Sequence, residues 1–154
     1  MSMNFSLSPA SAADWTLAWP IQRAAFQALV DRSWGGWDAE HIQACADAWN
    51  PLQTRRIEVD GEMIGWVRAE HLPDHDWLDL IVVAPQYQGQ GIGSKVLQRL
   101  MAEAEARSVP LWLSVYRSNI ARRLYARLGF AALERDEIRV FMVYPATTPL
   151  LRPR

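Results

Sequence analysis

The sequence predicts an α/β fold with helices on both faces of a mixed sheet. Three observations lead to this prediction. Two apolar runs have the length of strands, at residues 77–83 and 111–115. An amphipathic segment of helical period follows each run, and hairpin patterns lie on both sides of this central part. With 154 residues the chain can build one core, so we expect a single domain over residues 1–146 and a C-terminal tail over residues 147–154.

The N-terminal part is predicted to hold a strand, two helices and a hairpin. The strand and the helices are expected at residues 4–8, 14–31 and 38–49. Gly35 and Gly36 separate the two helices. The hairpin strands are expected at residues 54–59 and 63–70. Asp60 and Gly61 between them are a favoured two-residue turn.

The central strand at residues 77–83 is nearly all apolar, which is typical of a strand buried on both faces. The helix after it has an apolar face that consists of Leu97, Leu100, Met101 and Ala104. Pro110 is expected to stop this helix before the second buried strand at residues 111–115.

A second helix is predicted after that strand. Ser118 and Asn119 are suitable N-cap residues, and Gly129 is a suitable C-cap. The apolar face of this helix consists of Ala121, Leu124, Tyr125 and Leu128. A last hairpin is expected across Arg135 and Asp136, with strands at residues 130–133 and 138–144.

Three glycines at alternating positions, Gly89, Gly91 and Gly93, lie between the central strand and its helix. Backbone N–H groups that no side chain covers can point at an anion there, and the helix N-terminus adds the positive end of the helix dipole. The spacing therefore predicts a phosphate-binding loop and a phosphorylated cofactor. The spacing does not match the dinucleotide-binding fingerprint, in which the third glycine comes one residue later. It does not match the triphosphate-binding loop either, because Lys95 follows Ser94 and not a glycine. Glycines that serve only the turn remain the alternative.

Two motifs in this part resemble the GNAT superfamily of acyl-CoA-dependent N-acetyltransferases. The family's cofactor motif, Gln/Arg-x-x-Gly-x-Gly/Ala, matches residues 88–93. The second signature, an Asn, an Ala and then Leu-Tyr-x-x-Leu-Gly-Phe, matches residues 119–130. The match covers roughly residues 53–144. The resemblance implies the GNAT fold, a mostly antiparallel sheet of six or seven strands that splays open between residues 78–83 and 111–115.

The resemblance implies an enzyme that transfers an acetyl group from acetyl-CoA directly to a primary amine of a small molecule or a protein. The rival prediction is a catalytically weak acyl-CoA-binding sensor or interaction domain. Direct transfer needs no enzyme nucleophile, and the lone Cys45 lies far from both motifs in the sequence.

The resemblance also assigns cofactor contacts to individual residues. The backbone of Ile81, Val82 and Val83 is expected to bind the pantetheine arm and the thioester carbonyl. The pyrophosphate is expected to lie against the glycine loop, which consists of Gln88, Gly89, Gln90, Gly91, Ile92, Gly93 and Ser94.

Two further residues belong to the implied cofactor site. Asn119 is expected to contact the cofactor arm, but it precedes Tyr125 by six positions where many relatives have seven, so Ser118 is an alternative. Tyr125 is expected near the sulfur, as the acid that protonates the leaving thiolate. A phenol with a pKa of about 10 suits that role. Core packing on the apolar helix face is the alternative for Tyr125.

No obvious general base occupies the places where several relatives have a Glu, because this chain has Trp77 and Ser114 there. Asp79 shares the alternation face of Trp77 and Ile81, so it is the candidate base and a candidate acceptor-binding residue. A hydrogen-bonded strand residue is the alternative. We expect no metal, because the possible ligands on the preceding loop have weak spacing and suit an exposed loop. These ligands are His71, His75 and Asp76.

Trp34 and Trp37 flank the glycine pair between the first two helices, a region that often shapes the acceptor pocket in this family. Together with Asp31, Asp38 and Glu40 they are expected to bind an ammonium group through cation–π and charge attraction. Packing is the alternative for both rings. Core positions are expected for Trp15, Trp19, Trp49, Trp66 and Trp112.

Charge is divided unevenly along the chain. Through Val82 there are 5 Lys/Arg and 12 Asp/Glu, about −7, and from Val83 onward 11 and 5, about +6. The basic half holds the glycine loop, which suits a polyanionic cofactor, and the acidic half suits a cationic amine. The alternative is that the arginines of the second predicted helix only form its solvated surface.

Other features exclude function classes. No basic stripe interleaved with aromatics indicates nucleic acid. No apolar run approaches a membrane span, and the N-terminus lacks the pattern of a signal peptide. The lone Cys45 is in agreement with the reducing cytoplasm. An exposed sheet edge is expected to allow a homodimer.

Overall fold

The computed structural model describes residues 4–117 and 119–148. The strands of this part are β1 (Ser6–Pro9), β2 (Thr54–Val59), β3 (Glu62–His71), β4 (Asp76–Val83), β5 (Leu111–Tyr116), β6 (Ala131–Arg135) and β7 (Arg139–Tyr144). The helices are α1 (Trp15–Trp34), α2 (Ala39–Asp47), α3 (Ile92–Ala106) and α4 (Ala121–Arg127). The expected N-cap residue Ser118 and most of the expected C-terminal tail, residues 149–154, lie outside the described residues.

The seven strands form one sheet in the order β1-β2-β3-β4-β5-β7-β6. Strands β4 and β5 pair in parallel, whereas β1–β2, β2–β3, β5–β7 and β6–β7 pair antiparallel. The parallel ladder has three residue pairs and ends at Leu78 and Leu113, although β4 continues to Val83. The prediction of a mixed, mostly antiparallel sheet of six or seven strands is confirmed.

The chain divides into two compact units. The first comprises Met1–Arg68 and Leu80–Gly93, and the second comprises Ala69–Asp79 and Ser94–Arg154. The expected single domain over residues 1–146 stays a prediction.

Five indoles contact one another in series within the first unit. Trp37 meets Trp19, Trp19 stacks on Trp15, Trp15 meets Trp49, and Trp49 meets Trp66, with ring centroids 5.2–5.6 Å apart. Trp66 has no exposed surface, and its Nε1 donates a hydrogen bond to the carbonyl oxygen of Ala18 at 3.4 Å. Aromatic pairs of this kind add about 0.5–1.5 kcal/mol each to simple burial. The series therefore attaches α1 and the segments on both sides of α2 to strand β3.

A close approach of two backbones fixes the end of β4 in the same unit. Strand β3 contains a bulge, because Ile57 faces Gly65 while Glu58 faces Met63. The carbonyl of the extra residue, Ile64, accepts a hydrogen bond from the N–H of Ala84 at 2.8 Å. A Cβ atom on Gly65 would lie 2.1 Å from the carbonyl oxygen of Val82. Only glycine permits this contact.

In the second unit, α3 buries its apolar face as the sequence predicts. The exposed fractions of Leu97, Leu100, Met101 and Ala104 are 9% or less. One side of the sheet is equally buried, through Leu111, Leu113, Val115, Val140 and Met142.

The sequence predicts an exposed loop before β4, but in the structure part of this region is buried. His75 and Asp76 are only 6% and 2% exposed. The guanidinium of Arg107, just after α3, contacts the carboxylate of Asp76 and also donates to the carbonyl oxygen of Leu72 at 2.7 Å. His71 Nδ1 lies 2.9 Å from Asp76 Oδ1. These partners make burial of the carboxylate tolerable.

The expectation that β4 is buried on both faces is wrong. Asp76, Leu78 and Val82 are buried, but Asp79 is exposed, and Trp77, Ile81 and Val83 are half-buried. The buried and open positions follow the two-residue period of a strand, so only one face of β4 is packed. A run of apolar residues in the sequence does not reveal which face of the strand is packed.

The end of α3 also differs from the expectation. The helix stops at Ala106, before Pro110 has any influence. Ser108 adopts a left-handed φ of 57°, the N–H of Val109 bonds to the carbonyl of Ala104, and the N–H of Ser108 bonds to the carbonyl of Glu105. These bonds are a Schellman motif that closes the helix.

The last hairpin turns at residues 136–138, because β6 extends through Arg135. The carboxylate of Asp136 accepts hydrogen bonds from the N–H groups of Ile138 and Arg139. These bonds hold the turn and keep the pKa of Asp136 below its usual value.

We expect Gly65→Ala to lower the free energy of unfolding by about 3 kcal/mol, because the new methyl group meets a backbone carbonyl that has no room to move. Gly61→Ala is the matched control. Gly61 has a left-handed φ of 80° but no heavy atom within 4 Å of a Cβ, so its loss should be about 1 kcal/mol. Urea unfolding followed by tryptophan fluorescence measures both values. Equal losses would contradict the close approach at Gly65.

Candidate functional site

The loop between β4 and α3 presents open backbone in the first unit. After Val83 the chain makes one 3-10 turn at Pro85–Tyr87, and α3 begins at Ile92. Gly89 and Gly91 have left-handed φ values of 75° and 83°, which explains why both are glycine. A Cβ on either residue would have no described atom within 4 Å. The loop surface is therefore accessible to a ligand.

Gly93 has no comparable structural reason to be glycine. It is the second residue of α3, its φ is not positive, and a Cβ there would meet no described atom within 4 Å. Glycine in a helix costs about 0.5–1 kcal/mol relative to alanine. Neither the conformation of Gly93 nor packing against the described residues accounts for that cost. The space above Gly93 lies at a helix N-terminus, where N–H groups and the helix dipole favour an anion.

The two glutamine side chains of the loop bind the loop's own backbone. Gln88 Nε2 donates to the carbonyl oxygen of Val83 at 2.8 Å, and Gln90 Nε2 donates to that of Gln86 at 3.0 Å. The first bond attaches the loop to the end of β4, and the second joins two residues of the loop. A cofactor contact of Gln88 or Gln90 stays a prediction, and the geometry favours their backbone for it.

The three residues expected to bind the pantetheine arm occupy the end of β4. Val82 is 1% exposed and belongs to the core cluster around Trp66, whereas Ile81 and Val83 lie on the open face. Val82 is also the residue whose carbonyl approaches Gly65. The buried side chain of Val82 thus holds the strand, while its neighbours alternate toward the open side.

In the second unit, Asn119 starts helix α4. Its Oδ1 accepts a hydrogen bond from the N–H of Ala121 at 2.9 Å, and its carbonyl accepts one from Arg122 at 3.4 Å. Asn119 thus precedes the N-cap residue Ile120, and its side chain accepts the first N–H of α4. A contact with the cofactor arm stays a prediction. The alternative contact residue, Ser118, lies outside the described residues.

Tyr125 belongs to the motif that ends α4. The N–H of Phe130 bonds to the carbonyl of Tyr125 at 3.1 Å, the N–H of Gly129 bonds to that of Ala126 at 3.2 Å, and Gly129 has a φ of 104°. This is a Schellman motif, and the rings of Tyr125 and Phe130 pack across it with centroids 5.8 Å apart. The spacing Tyr-x-x-x-Gly-Phe is thus a helix-ending unit that orients the phenol.

Burial raises the pKa of the Tyr125 phenol above its ordinary value. The hydroxyl therefore stays protonated throughout the neutral range and can act as a proton donor. Packing and proton donation are both compatible with this position.

Asp79 is exposed on the open face of β4, one residue beyond the last β4–β5 pair. Strand β4 thus carries this acid without burying it. The carboxylate is accessible to an acceptor. Its neighbour on the same face, Trp77, packs against Phe141 with ring centroids 6.3 Å apart.

Trp34 and Trp37 differ in their surroundings in the first unit. The Nε1 of Trp37 donates to Gln27 Oε1 at 3.1 Å, and its ring meets Trp19, so this ring is packed. Trp34 is 45% exposed and lies 5.1 Å from the ring of His41. Asp38 caps α2 by accepting the N–H of His41. Acceptor binding by Trp34 and Trp37 stays a prediction.

The residues with defined positions contain no group of three or more His, Cys, Asp or Glu arranged to hold a metal ion. Of the helices in the described ranges, none has the length and apolar character needed to cross a bilayer.

Sequence reasoning missed Gly65, Tyr116 and Arg139. A glycine inside the strand pattern of β3 was the available signal for a bulge or a close approach. The alternation of β5 and β7 places Tyr116 and Arg139 on one face, but their pairing becomes evident only from the register.

Comparisons with known proteins agree with this geometry. The family model "Acetyltransferase (GNAT) family" matches residues 15–130. A [ribosomal protein bS18]-alanine N-acetyltransferase of Haemophilus influenzae is 36% identical over 80 residues, 51% of this chain and 54% of that protein. A spermine/spermidine N(1)-acetyltransferase of Bacillus subtilis is 34% identical over 85 residues, 48% of this chain and 56% of that protein. The chain thus spans about half the length of the curated relatives it matches.

The fold matches a solved structure over almost the whole chain. The PaiA N-acetyltransferase of Thermoplasma acidophilum, crystallised in complex with coenzyme A, superposes with a TM-score of 0.75. The match covers 92% of this chain and 98% of that chain at 15% sequence identity.

Proposed function

The chain belongs to the acetyltransferase (GNAT) family, and from this premise we propose that it transfers the acetyl group of acetyl-CoA directly to a primary amine. The single observation that carries the proposal is the open glycine loop at the start of α3. Gly89 and Gly91 have left-handed φ values, and a Cβ on Gly89, Gly91 or Gly93 would meet no described atom within 4 Å. The pyrophosphate of acetyl-CoA fills such a space and accepts hydrogen bonds from the loop N–H groups.

The remaining cofactor contacts follow from the direction of β4. The strand runs into the glycine loop, so a pantetheine arm that leaves the pyrophosphate has the backbone of Ile81, Val82 and Val83 beside it. N–H groups at that strand end would bind the arm and polarise the thioester carbonyl. Asn119 would contact the arm from the start of α4.

The acetyl group would pass directly from sulfur to nitrogen. The unprotonated amine attacks the thioester carbonyl, the carbon–sulfur bond breaks, and the thiolate of CoA accepts a proton. Asp79 would bind the incoming ammonium group and accept its first proton before the attack. Tyr125 would give a proton to the thiolate and recover one from the acylated nitrogen. Cys45 is a poor nucleophile for a covalent route, because burial raises the pKa of its thiol.

The proposed setting is one domain over residues 1–146, acting in the cytoplasm without a metal. The acceptor is the amine of a small molecule or of a protein, since the named relatives include an enzyme of each kind. Trp34 and Trp37 are proposed to contribute to acceptor binding. A homodimer through a sheet edge is proposed, and sedimentation tests it.

Calorimetry with acetyl-CoA, and with NADH as control, tests the proposed cofactor. Micromolar binding of acetyl-CoA alone is the expected result. Absence of acetyl-CoA binding would overturn the assignment of the glycine loop. Binding without CoA release over a panel of amines would favour the acyl-CoA sensor instead.

We expect Gly93→Asp to weaken acetyl-CoA binding at least about tenfold, because its carboxylate would stand at the N-terminus of α3 and repel the pyrophosphate proposed to lie there. Gly93→Ala is the matched control, since the family's cofactor motif accepts Gly or Ala at this position. It should stabilise the protein by about 0.5–1 kcal/mol and leave the affinity nearly unchanged. Calorimetry with acetyl-CoA measures the affinities, and urea unfolding measures the stabilities. Unchanged affinity in Gly93→Asp would remove the phosphate from this position.

We expect Tyr125→Phe to lower kcat about 100-fold and to leave acetyl-CoA affinity nearly unchanged, because the ring still packs on Phe130 while the proton donor is lost. Tyr144→Phe is the control, since the hydroxyl of Tyr144 bonds to Glu105 and its ring also packs on Phe130. CoA release under saturating substrates measures both variants. Equal rates for wild type and Tyr125→Phe would assign the proton to water.

A further inference from the structure

The connection between β4 and α3 begins with a backbone that hydrogen bonds hold in place. The N–H of Ala84 donates to the carbonyl of Ile64 at 2.8 Å, and the N–H of Tyr87 donates to the carbonyl of Ala84 at 2.9 Å. Gln88 Nε2 donates to the carbonyl of Val83 at 2.8 Å. This first part of the connection is thus attached to the end of β4.

The part of the connection that follows Gln88 has a different backbone. Gly89 and Gly91 adopt left-handed φ values of 75° and 83°, and glycine loses more conformational freedom on folding than any other residue. The N–H groups of this stretch belong to the proposed phosphate site. Freedom here would lower the fraction of molecules in which these groups point at one ligand. A contact that restricts the stretch before the cofactor binds would therefore raise the affinity.

The side chain of Gln90, between these two glycines, makes such a contact. Its Nε2 donates to the carbonyl oxygen of Gln86 at 3.0 Å, so the bond closes a ring over residues 86–90. Gly89 lies inside this ring, and Gly91 follows it directly. The carbonyl belongs to the 3-10 turn that the bonds described above attach to β4. The Gln90 bond therefore extends that attachment to the two left-handed glycines.

We infer that Gln90 positions the pyrophosphate of acetyl-CoA by holding the loop backbone, and that its side chain does not touch the cofactor. This inference rests on the proposed acetyl transfer. The cofactor motif names no residue type at position 90, so the role depends on this chain's own side chain. The Nε2 donor is engaged with a carbonyl of its own loop, whereas the loop surface at the glycines on both sides is open. The phosphate oxygens would then meet N–H groups whose arrangement exists before binding.

The size of the expected effect follows from the kind of bond. A neutral amide–carbonyl hydrogen bond shifts a conformational equilibrium roughly two- to tenfold. Because the arranged loop is the form that binds pyrophosphate, the same factor should appear in the affinity for acetyl-CoA. A ligand without the pyrophosphate should bind equally well with and without the Gln90 bond. This difference between ligands distinguishes positioning of the loop from a general loss of structure.

The test compares Gln90→Met with the wild type in the full chain, because methionine has nearly the length of glutamine but no N–H donor. We expect the Kd for acetyl-CoA, measured by calorimetry, to rise about fivefold. The Kd for S-acetyl-pantetheine, which lacks the pyrophosphate, should stay unchanged in an NMR titration. Gln43→Met on α2 is the matched control. Gln43 Nε2 donates to Asp47 Oδ1 at 2.8 Å within a regular helix, so its loss should change neither value.

A second measurement separates positioning from direct contact with the cofactor. In the cofactor-free protein, the backbone NMR order parameters of Gly89 and Gly91 should fall from about 0.85 toward about 0.6 in Gln90→Met and stay unchanged in Gln43→Met. A side chain that only touched the cofactor would leave these values unchanged.

Three results would overturn the inference while wild-type binding of acetyl-CoA still supports the proposed function. They are an unchanged affinity of Gln90→Met for acetyl-CoA, an equal loss of affinity for both ligands, and unchanged order parameters at the two glycines. Absence of acetyl-CoA binding in the wild type would overturn the proposed function, and the inference with it.

Discussion

The contact between Gly65 and Val82 fixes the end of β4 and the start of the glycine loop. A bulge in β3 and a missing side chain let two backbones meet, and the N–H of Ala84 bonds to the carbonyl of the bulged Ile64. Gln88 then attaches the loop to Val83. The start of α3 is thereby placed by backbone contacts, which vary less than side-chain packing does. A phosphate site built from N–H groups needs that constancy.

Local signals predicted most of the elements. The Asp60-Gly61 turn, the glycine loop and the apolar face of α3 each follow from short-range rules of conformation and period, and the structure has them. The open face of β4 could not be predicted, because apolar residues occupy both sides of that strand and only tertiary packing distinguishes them. Burial of Asp76 likewise depends on Arg107, thirty-one positions away in the chain.

The candidate site could be predicted where a residue with a proposed function also fixes the backbone conformation. Gly89 and Gly91 are needed by the backbone, and Gly129 and Phe130 close helix α4 while they orient Tyr125. Such a motif can be recognised in a single sequence because backbone geometry sets the spacing of its residues. The exposure of Asp79 could not be predicted in this way, since it depends on which face of β4 the rest of the fold covers.

The series of five indoles in the first unit has a spectroscopic consequence. Rings whose centroids lie 5.2–5.6 Å apart couple their electronic transitions, so their circular dichroism in the near ultraviolet depends on mutual orientation. Trp77 and Trp112 of the second unit have no part in that series. The coupled signal therefore reports, without an added label, how α1 and the segments on both sides of α2 pack on β3.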